Sequence, residues 1–355
     1  MGVVRLLFAL SVLIAHAGLF FNYNVTNANA VLSFYIISGF YMALILDKKY
    51  FKNNSRFLFW SNRFLRIFPL YWLTLLLTII FVLSKFFLHI GTSDNAIVHY
   101  IAWSPHQSIF EFYLNLFNYL LRNITLIISF DYIRMNNLTS GYLLVQQAMT
   151  LQAELLFYLI APFIVGLTNK SFIVFFVVYV VGFFGFINHL NLLRSDSLSY
   201  YFLYNLIFFL LGIITYRFLY KMLRSGKNTL RLAQSIFIFL ILYLISYGVI
   251  PLKYRLIIPN GIDLMYFAIF LCSIPFVFLY TKSSVIDNFI GKLSYPVYIM
   301  HFLVIKLFSN TKLFSNISNL RTILIIIVTL FVSYFAVKFV DDPIDKFRQK
   351  RLKKS

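Results

Sequence analysis

The chain has 355 residues, of which 61% are hydrophobic and only 12% are charged, and its mean hydropathy is +0.83. A soluble domain would carry about 25% charged residues, so the composition excludes an ordinary soluble protein and indicates an all-α, polytopic membrane protein. The net charge of +20 is carried by short basic runs between apolar segments, where the positive-inside rule places them. We therefore expect a lipid bilayer and no nucleic acid as a partner.

Apolar segments long enough to cross a bilayer recur along the whole chain. The candidate spans are 3–22, 31–46, 66–88, 148–167, 171–188, 200–219, 232–250, 262–280, 293–308 and 321–340. We expect them to form one membrane domain, 1–345, followed by a basic cytoplasmic tail, 346–355. The first span is too long, and its basic start too weak, for a cleaved signal peptide, so it is expected to be retained.

An eleventh apolar segment, 113–130, is excluded as a crossing by its effect on the charge distribution. Without it, 22 of the 31 basic residues lie on the inner side; with it, only 15 do. Ten crossings with both termini in the cytoplasm therefore agree best with the positive-inside rule. The stretch 89–148 then lies outside the cell or in the outer leaflet, with 113–130 as an amphipathic or re-entrant piece beside a cavity.

The first span contains two ionisable residues, Arg5 and His16, eleven positions apart. Eleven helical steps overshoot three turns by only about 20°, so both side chains lie on nearly the same face, roughly 16 Å apart. Ionisable groups inside a membrane are functional candidates by default because lipid tolerates them poorly. The alternatives are a snorkelling anchor for Arg5 and a histidine satisfied by a neighbouring helix for His16.

Three more charged candidates follow. Arg63 and Arg66 stand at the start of the third span, where simple positive-inside topology is the alternative to a binding role. Glu154 lies in the fourth span among apolar residues. Such a carboxylate must pair with a cation or stay protonated, and we expect it to face the bundle interior, either in catalysis or in holding a helix in place.

A polar stripe runs along the ninth span. Ser294, Tyr298 and His301 are spaced i, i+4, i+7 and therefore share one helix face. The stripe lines a substrate channel or acts as hydrogen-bond glue between helices. Pro296 is read as a residue of the first helical turn, where its missing N–H is unsatisfied in any case.

Signatures of soluble enzymes do not occur in the sequence: it has no Gly-rich phosphate loop, no metal-spaced His and Cys set and no G-x-S-x-G elbow. We therefore expect neither a metal nor a permanently bound cofactor. Cys272, the single cysteine, is interpreted as a buried small apolar residue. His89, His99, His106 and His189 are interpreted as ordinary interfacial residues.

Taken together, these segments resemble the membrane-bound acyltransferase-3 family of bacterial O-acyltransferases. The elements that carry the resemblance, in the family's order, are Arg5 with His16, Ser38-Gly39-Phe40, Arg63-Phe64-Leu65-Arg66-Ile67-Phe68-Pro69-Leu70-Tyr71-Trp72, Thr150-Leu151-Gln152-Ala153-Glu154 with Phe157-Tyr158, Ser294-Tyr295-Pro296-Val297-Tyr298-Ile299-Met300-His301, and Asp342-Pro343. The departures are Asn62, Leu155 and Asp342, where the family usually has arginine, a second glutamate and glutamate.

The resemblance implies transfer of an acyl group, most often acetyl, from cytoplasmic acyl-coenzyme A to a hydroxyl of an extracytoplasmic glycan or lipid-linked saccharide. In a bacterial cytoplasmic membrane, Arg5, Arg63 and Arg66 would then hold the donor's phosphates, for which guanidinium groups suit by shape and charge. His16, with an unperturbed pKa near 6.5, would act as general base or acyl carrier.

Further roles and rival functions stay open in the sequence. Tyr298, Ser38 or His301 could donate a hydrogen bond to the oxyanion. A transporter or flippase of a lipid-linked sugar also agrees with ten helices and basic loops, although no internal repeat or paired broken helix is visible. A structural partner of a polysaccharide export complex is a third interpretation.

Overall fold

The computed structural model describes residues 1–18, 27–51, 55–87, 117, 119–126, 143–188, 198–223, 226–247, 261–309 and 318–354. Within these ranges all regular structure is helical. The helices are α1 Gly2–Ala17, α2 Asn27–Ile45, α3 Arg56–Phe87, α4 Ala148–Gly166, α5 Asn169–Val181, α6 Leu198–Ile214, α7 Lys227–Tyr247, α8 Gly261–Thr281, α9 Val285–Ser309, α10 Ser318–Ala336 and α11 Asp342–Lys354. A π-helical turn, Val337–Asp341, joins α10 to α11 without a break.

The length and composition of these helices are those of a multi-pass membrane protein. Eight stretches are long and apolar enough to cross a membrane: Asn27–Tyr50, Arg56–Lys85, Ala148–Gly166, Tyr201–Met222, Lys227–Tyr247, Asp263–Thr281, Val285–Phe308 and Leu320–Leu352. Gly2–Ala17 and Asn169–Gly185 are apolar but shorter. Each predicted span therefore falls on a helix, and eight of the ten have the length of a full crossing within the described residues.

The outer faces of the helices are apolar as well. On α5, for example, Val174, Val177, Val178 and Val181 form one helical row, and each is more than half exposed. A continuous apolar row of this kind would be an aggregation surface in water, so it is suited to contact with lipid.

Helix α1 packs along α9 in the same direction, and the contact begins at a pair of glycines. A Cβ atom on Gly291 would lie 2.9 Å from the Cα atom of Gly2. The Asp287 carboxylate accepts hydrogen bonds from the backbone N–H groups of Gly2 and Val3, at 2.7 and 3.0 Å. This contact fixes the register in which the rest of α1 faces α9.

A second close crossing joins α2 to α6. A Cβ atom on Gly39 would lie 2.0 Å from the carbonyl oxygen of Phe209, and one on Gly212 would lie 2.1 Å from that of Ile36. Only glycine allows the two backbones to approach this closely. In the Ser38-Gly39-Phe40 element, Gly39 is therefore required for the packing of α2 on α6, and Ser38 supplies a polar group next to it.

Three helix boundaries differ from the predicted ones. α3 begins at Arg56, ten residues before the predicted span, so Arg63 and Arg66 lie inside a helix. α9 begins at Val285, so the placement of Pro296 in the first turn is wrong: it lies in the helix interior. The basic tail is helical from Asp342 onward. In each case the helix continues beyond its apolar stretch, because backbone hydrogen bonds do not require apolar side chains.

Part of the segment 113–130 is described, and it packs against α3. Residues 119–125 are helical. Tyr71 donates to the carbonyl oxygen of Asn123, and Trp72 Nε1 donates to that of Ile124 at 2.8 Å. The side chain of Asn123 accepts from the backbone N–H of Leu144, also at 2.8 Å. The remainder of the segment, apart from residue 117, lies outside the described residues.

Cys272 is exposed on α8, so its interpretation as a buried residue is wrong. It shares its helix face with Met265 and Ala268, which are exposed too. A membrane protein can present apolar residues to lipid as readily as to its core, so apolarity alone does not indicate burial. The histidines at 89, 99, 106 and 189 lie outside the described residues.

Candidate functional site

A cavity of about 480 Å³ lies between α1, α2, α3, α4, α9 and α11. Its size is within the range of about 300–1,000 Å³ that is usual for small-molecule sites. The charged side chains that line it are Arg5, Lys49, Arg63, Arg66, Glu154, Asp345 and Arg348. Cations therefore outnumber carboxylates by five to two, which gives the cavity a positive charge.

The three sequence-predicted arginines, Arg5, Arg63 and Arg66, all line this cavity. Among the described residues, none of their guanidinium groups donates a hydrogen bond or forms an ion pair within 4 Å; Arg63 only lies over the rings of Phe59 and Tyr158. Arg63 is only 9% exposed, and its Nε atom is buried without a partner. Buried charges are normally paired, so this set leaves room for an anion.

Glu154 faces the same cavity from α4. It accepts hydrogen bonds from Ser38 Oγ at 2.9 Å and from the hydroxyl group of Tyr158. Arg5 is close enough for electrostatic attraction. The carboxylate therefore ties α4 to α2 through Ser38 and balances part of the arginine charge.

Tyr298 lines the cavity where α9 meets α4, at the end away from Arg5. Its hydroxyl group lies 2.8 Å from Thr150 Oγ1. The Thr150 carbonyl oxygen accepts from Tyr35, which in turn lies 3.0 Å from the hydroxyl of Tyr201. Tyr298 thus lines the cavity and also shares a hydrogen bond with another helix, while His301 of the same stripe does not line the cavity. Whether the stripe lines a substrate channel stays a prediction.

The two histidines do not line the cavity but form a pair beyond Tyr298. The rings of His16 and His301 stack with centroids 5.5 Å apart, and the ring of Phe302 lies 4.6 Å from that of His16. His301 is fully buried, whereas His16 is exposed and its Nε2 lies 3.1 Å from Asn27 Nδ2. The parallel packing of α1 on α9 brings these two rings together.

The protonation of each ring follows from its neighbours. Nδ1 of His301 lies 2.6 Å from the Tyr298 carbonyl oxygen, which can only accept, so Nδ1 carries the proton. Because a fully buried cation without a counter-charge is costly, we take the His301 ring as neutral, and its buried Nε2 then presents a lone pair without a partner. In the same way the amide N–H of Asn27 donates to Nε2 of His16, which is therefore an acceptor.

Sequence reasoning missed Arg348 and Lys49, both of which line the cavity. Arg348 lies on α11, in a basic segment that reads as a solvated tail, and Lys49 lies in the π-helical turn after α2. The only signal for Arg348 is its i, i+3 spacing from Asp345, with which it forms an ion pair at 3.2 Å.

Within the described ranges no group of three His, Cys, Asp or Glu residues could hold a metal ion.

The apolar helices of a multi-pass membrane protein thus surround a cavity whose charged lining is mainly cationic. A family model described as an acyltransferase domain, that of the acyltransferase-3 family, matches residues 1–338. The match covers almost the whole chain, so the protein belongs to this family and is a membrane acyltransferase.

One curated relative is also similar to this chain. An uncharacterized protein of Aquifex aeolicus (strain VF5) is 25% identical over 207 residues, which are 57% of this chain and 88% of that protein. No solved structure matches.

Proposed function

We propose that this protein is an O-acyltransferase of the bacterial cytoplasmic membrane. It moves an acyl group, acetyl in the simplest case, from cytoplasmic acyl-coenzyme A to a hydroxyl of an extracytoplasmic glycan or lipid-linked saccharide. Family membership supports the acyl chemistry.

The arginines without partners are the observation that carries this proposal. Coenzyme A is a polyanion, and Arg5, Arg63 and Arg66 line one cavity without a hydrogen bond to the described protein. Guanidinium groups bind phosphate in bidentate fashion, and their charge-assisted hydrogen bonds are about twice as strong as neutral ones. We assign these three residues to the nucleotide end of the donor.

The distance from the arginines to the histidines suits an extended donor. Arg5 and His16 lie eleven residues apart on α1, so the helix separates them by roughly 16 Å. The phosphates would lie near Arg5, at the basic end that the positive-inside rule assigns to the cytoplasm. The pantetheine arm would then extend past Tyr298 and bring its thioester to the pair of His16 and His301.

His16 is the candidate general base. The acceptor hydroxyl donates to Nε2 of His16 in place of Asn27, and its oxygen attacks the thioester carbonyl carbon. The new C–O bond forms as the C–S bond breaks, and the proton passes through the imidazole to the departing thiolate, which leaves as coenzyme A. In the two-step alternative, His16 first carries the acyl group as an acyl-imidazole.

Tyr298 is the better candidate for the oxyanion donor. Its hydroxyl lies at the end of the cavity nearest the histidines and shares a hydrogen bond with Thr150. Neutral His301 presents a lone pair at Nε2 and therefore cannot donate there, while Ser38 already donates to Glu154. We assign His301 the role of positioning His16, and Glu154 that of holding Ser38 and Tyr158 at the cavity wall.

An assay in sealed membrane vesicles tests the proposal against the flippase alternative. Vesicles with the cytoplasmic face outward receive acetyl-labelled acetyl-coenzyme A and contain a lipid-linked saccharide. We expect release of coenzyme A thiol and recovery of the label as a base-labile ester on the saccharide, above the level of vesicles without the protein. Translocation of the saccharide without consumption of acetyl-coenzyme A would instead identify a flippase.

A further inference from the structure

Helix α11 completes the wall of the cavity, although it lies outside the region that matches the family. The match ends at residue 338, whereas Asp345, Arg348 and Gln349 line the cavity. Arg351 on the same helix donates to Ser61 Oγ at 2.8 Å, two residues before Arg63 in α3. A basic helix that reads as a tail in the sequence is therefore attached to the arginine-bearing helix.

Arg348 is as deeply buried as Arg63. The two residues are 8% and 9% exposed, and the Nε atom of each is buried without a hydrogen-bond partner. Arg348 has one ion pair, through Nη1 to Asp345, and that carboxylate is itself 38% exposed. An N–H group buried and unpaired in this way destabilises the empty site, so it indicates a missing acceptor.

The charges of these residues point to the same acceptor. Arg348 lies close enough to both Arg63 and Arg66 for mutual repulsion. The three side chains line one partly buried cavity, where like charges repel more strongly than in water. A dianion between the three arginines would offset their mutual repulsion and would accept hydrogen bonds from the unpaired N–H groups.

We propose that Arg63, Arg66 and Arg348 form a three-arginine site for one phosphate group of the acyl donor, closed from the side by α11. The proposal rests on the proposed function and adds a binding residue beyond the family-matched region. Two groups of coenzyme A share the required chemistry, the ribose phosphomonoester and the diphosphate. A comparison of coenzyme A with dephospho-coenzyme A distinguishes which of these two groups is bound.

The test is direct calorimetric binding to the purified full-length protein in lipid nanodiscs. The ligands are coenzyme A, dephospho-coenzyme A, which lacks the ribose phosphomonoester, and pantetheine, which lacks all phosphates. The variants are Arg348→Gln and its matched control Lys350→Gln, which removes the same charge from an exposed position on the same helix. We expect Arg348→Gln to raise the Kd of coenzyme A at least tenfold, with Lys350→Gln and all pantetheine binding unchanged.

The ligand series identifies which phosphate is bound. A loss confined to coenzyme A assigns the phosphomonoester, and an equal loss with dephospho-coenzyme A assigns the diphosphate; both results support the site. Should Arg348→Gln not fold, Arg348→Lys keeps the charge without the bidentate fork, and we expect it to weaken coenzyme A binding several-fold.

The opposite results separate this inference from the proposed function. If Arg348→Gln binds coenzyme A as tightly as Lys350→Gln does while Arg63→Gln binds it more weakly, Arg348 has no part in the site and the proposed function stands. If the wild-type protein binds none of the phosphate-bearing ligands, the proposed function fails and the three-arginine site fails with it.

Discussion

The two ends of the polar path through this molecule satisfy their side chains in opposite ways. At the basic end, Arg5, Arg63 and Arg66 line a cavity without a hydrogen bond to the described protein. At the histidine end, Tyr298 and Thr150 are bonded to each other, and His301 is bonded to its own helix. The guanidinium groups at the basic end therefore lack hydrogen-bond partners among the described residues, whereas the groups at the histidine end are hydrogen-bonded apart from Nε2 of His301.

This difference indicates that the two ends have different functions, binding at one and chemistry at the other. Partly or fully buried cations without partners gain most from a ligand that brings negative charge, so the basic end is suited to binding. Neutral imidazole and hydroxyl groups held by hydrogen bonds are suited to moving a proton and stabilising an oxyanion. Substitutions at the basic end should therefore change KM, and those at the histidine end should change kcat.

The largest expected effect is that of His16→Ala. Loss of the general base should lower kcat for acyl transfer by about 10²–10⁴-fold, with KM for acyl-coenzyme A nearly unchanged because the phosphate-binding residues remain. The matched control is Ala15→Ser, at the exposed neighbouring position. Initial rates in vesicles with equal amounts of folded protein provide the measurement, and full activity of His16→Ala would remove this residue from the chemistry.

The next effect separates Tyr298 from its partner. If the Tyr298 hydroxyl stabilises the oxyanion, Tyr298→Phe should lower kcat by about 10²–10³-fold. Thr150→Val removes only the group with which that hydroxyl shares its 2.8 Å hydrogen bond, so its effect should stay within about tenfold. Equal losses in the two variants would show that the pair acts structurally and that the oxyanion donor lies elsewhere.

A smaller effect, on KM alone, is expected from Arg63→Gln and Arg66→Gln. Each substitution removes charge-assisted hydrogen bonds worth about 1.5–3 kcal/mol, so KM for acyl-coenzyme A should rise by roughly ten- to a hundredfold. Arg56→Gln is the control, because Arg56 is exposed at the start of the same helix and does not line this cavity. A fall in kcat with unchanged KM would contradict the phosphate-binding role.

The sequence identifies ionisable residues inside apolar spans, but it does not identify the cavity residues that lie outside them. Ionisable residues stand out in apolar spans, so Arg5, Glu154 and His301 could be selected from the sequence alone. Arg348 could not be selected in this way, because its neighbours in the basic tail are charged as well and it does not stand out from them. The exposure of Cys272 was missed for the converse reason: lipid and protein interior are both apolar, so hydrophobicity does not distinguish them.

The pairing of the histidines was also beyond the sequence. His16 and His301 are 285 positions apart, and they meet only because α1 lies parallel to α9 in a register fixed by Gly2, Asp287 and Gly291. Helical periodicity predicts which side chains share a face on one helix, but not which helix lies opposite. The sequence predicts each histidine as a separate candidate, and their contact is a result of the fold.

Both ends of the polar path depend on the close crossing of α2 and α6 at Gly39. Gly39→Ala would place a Cβ atom 2.0 Å from the carbonyl oxygen of Phe209, which is backbone and cannot rotate away. The helices α2 and α6 must separate, and we expect a loss of about 1–3 kcal/mol of stability. Gly182→Ala is the control, because nothing lies within 4 Å of a Cβ atom there. The difference in melting temperature between the two variants, measured in one detergent, gives the loss.

The same substitution should also change the kinetics. Since Ser38 lies beside Gly39 on the cavity wall, kcat should fall and KM should rise, whereas substitutions at either end of the path should change only one of the two. A Gly39→Ala protein as stable as Gly182→Ala would show that the α2–α6 crossing is not held this closely.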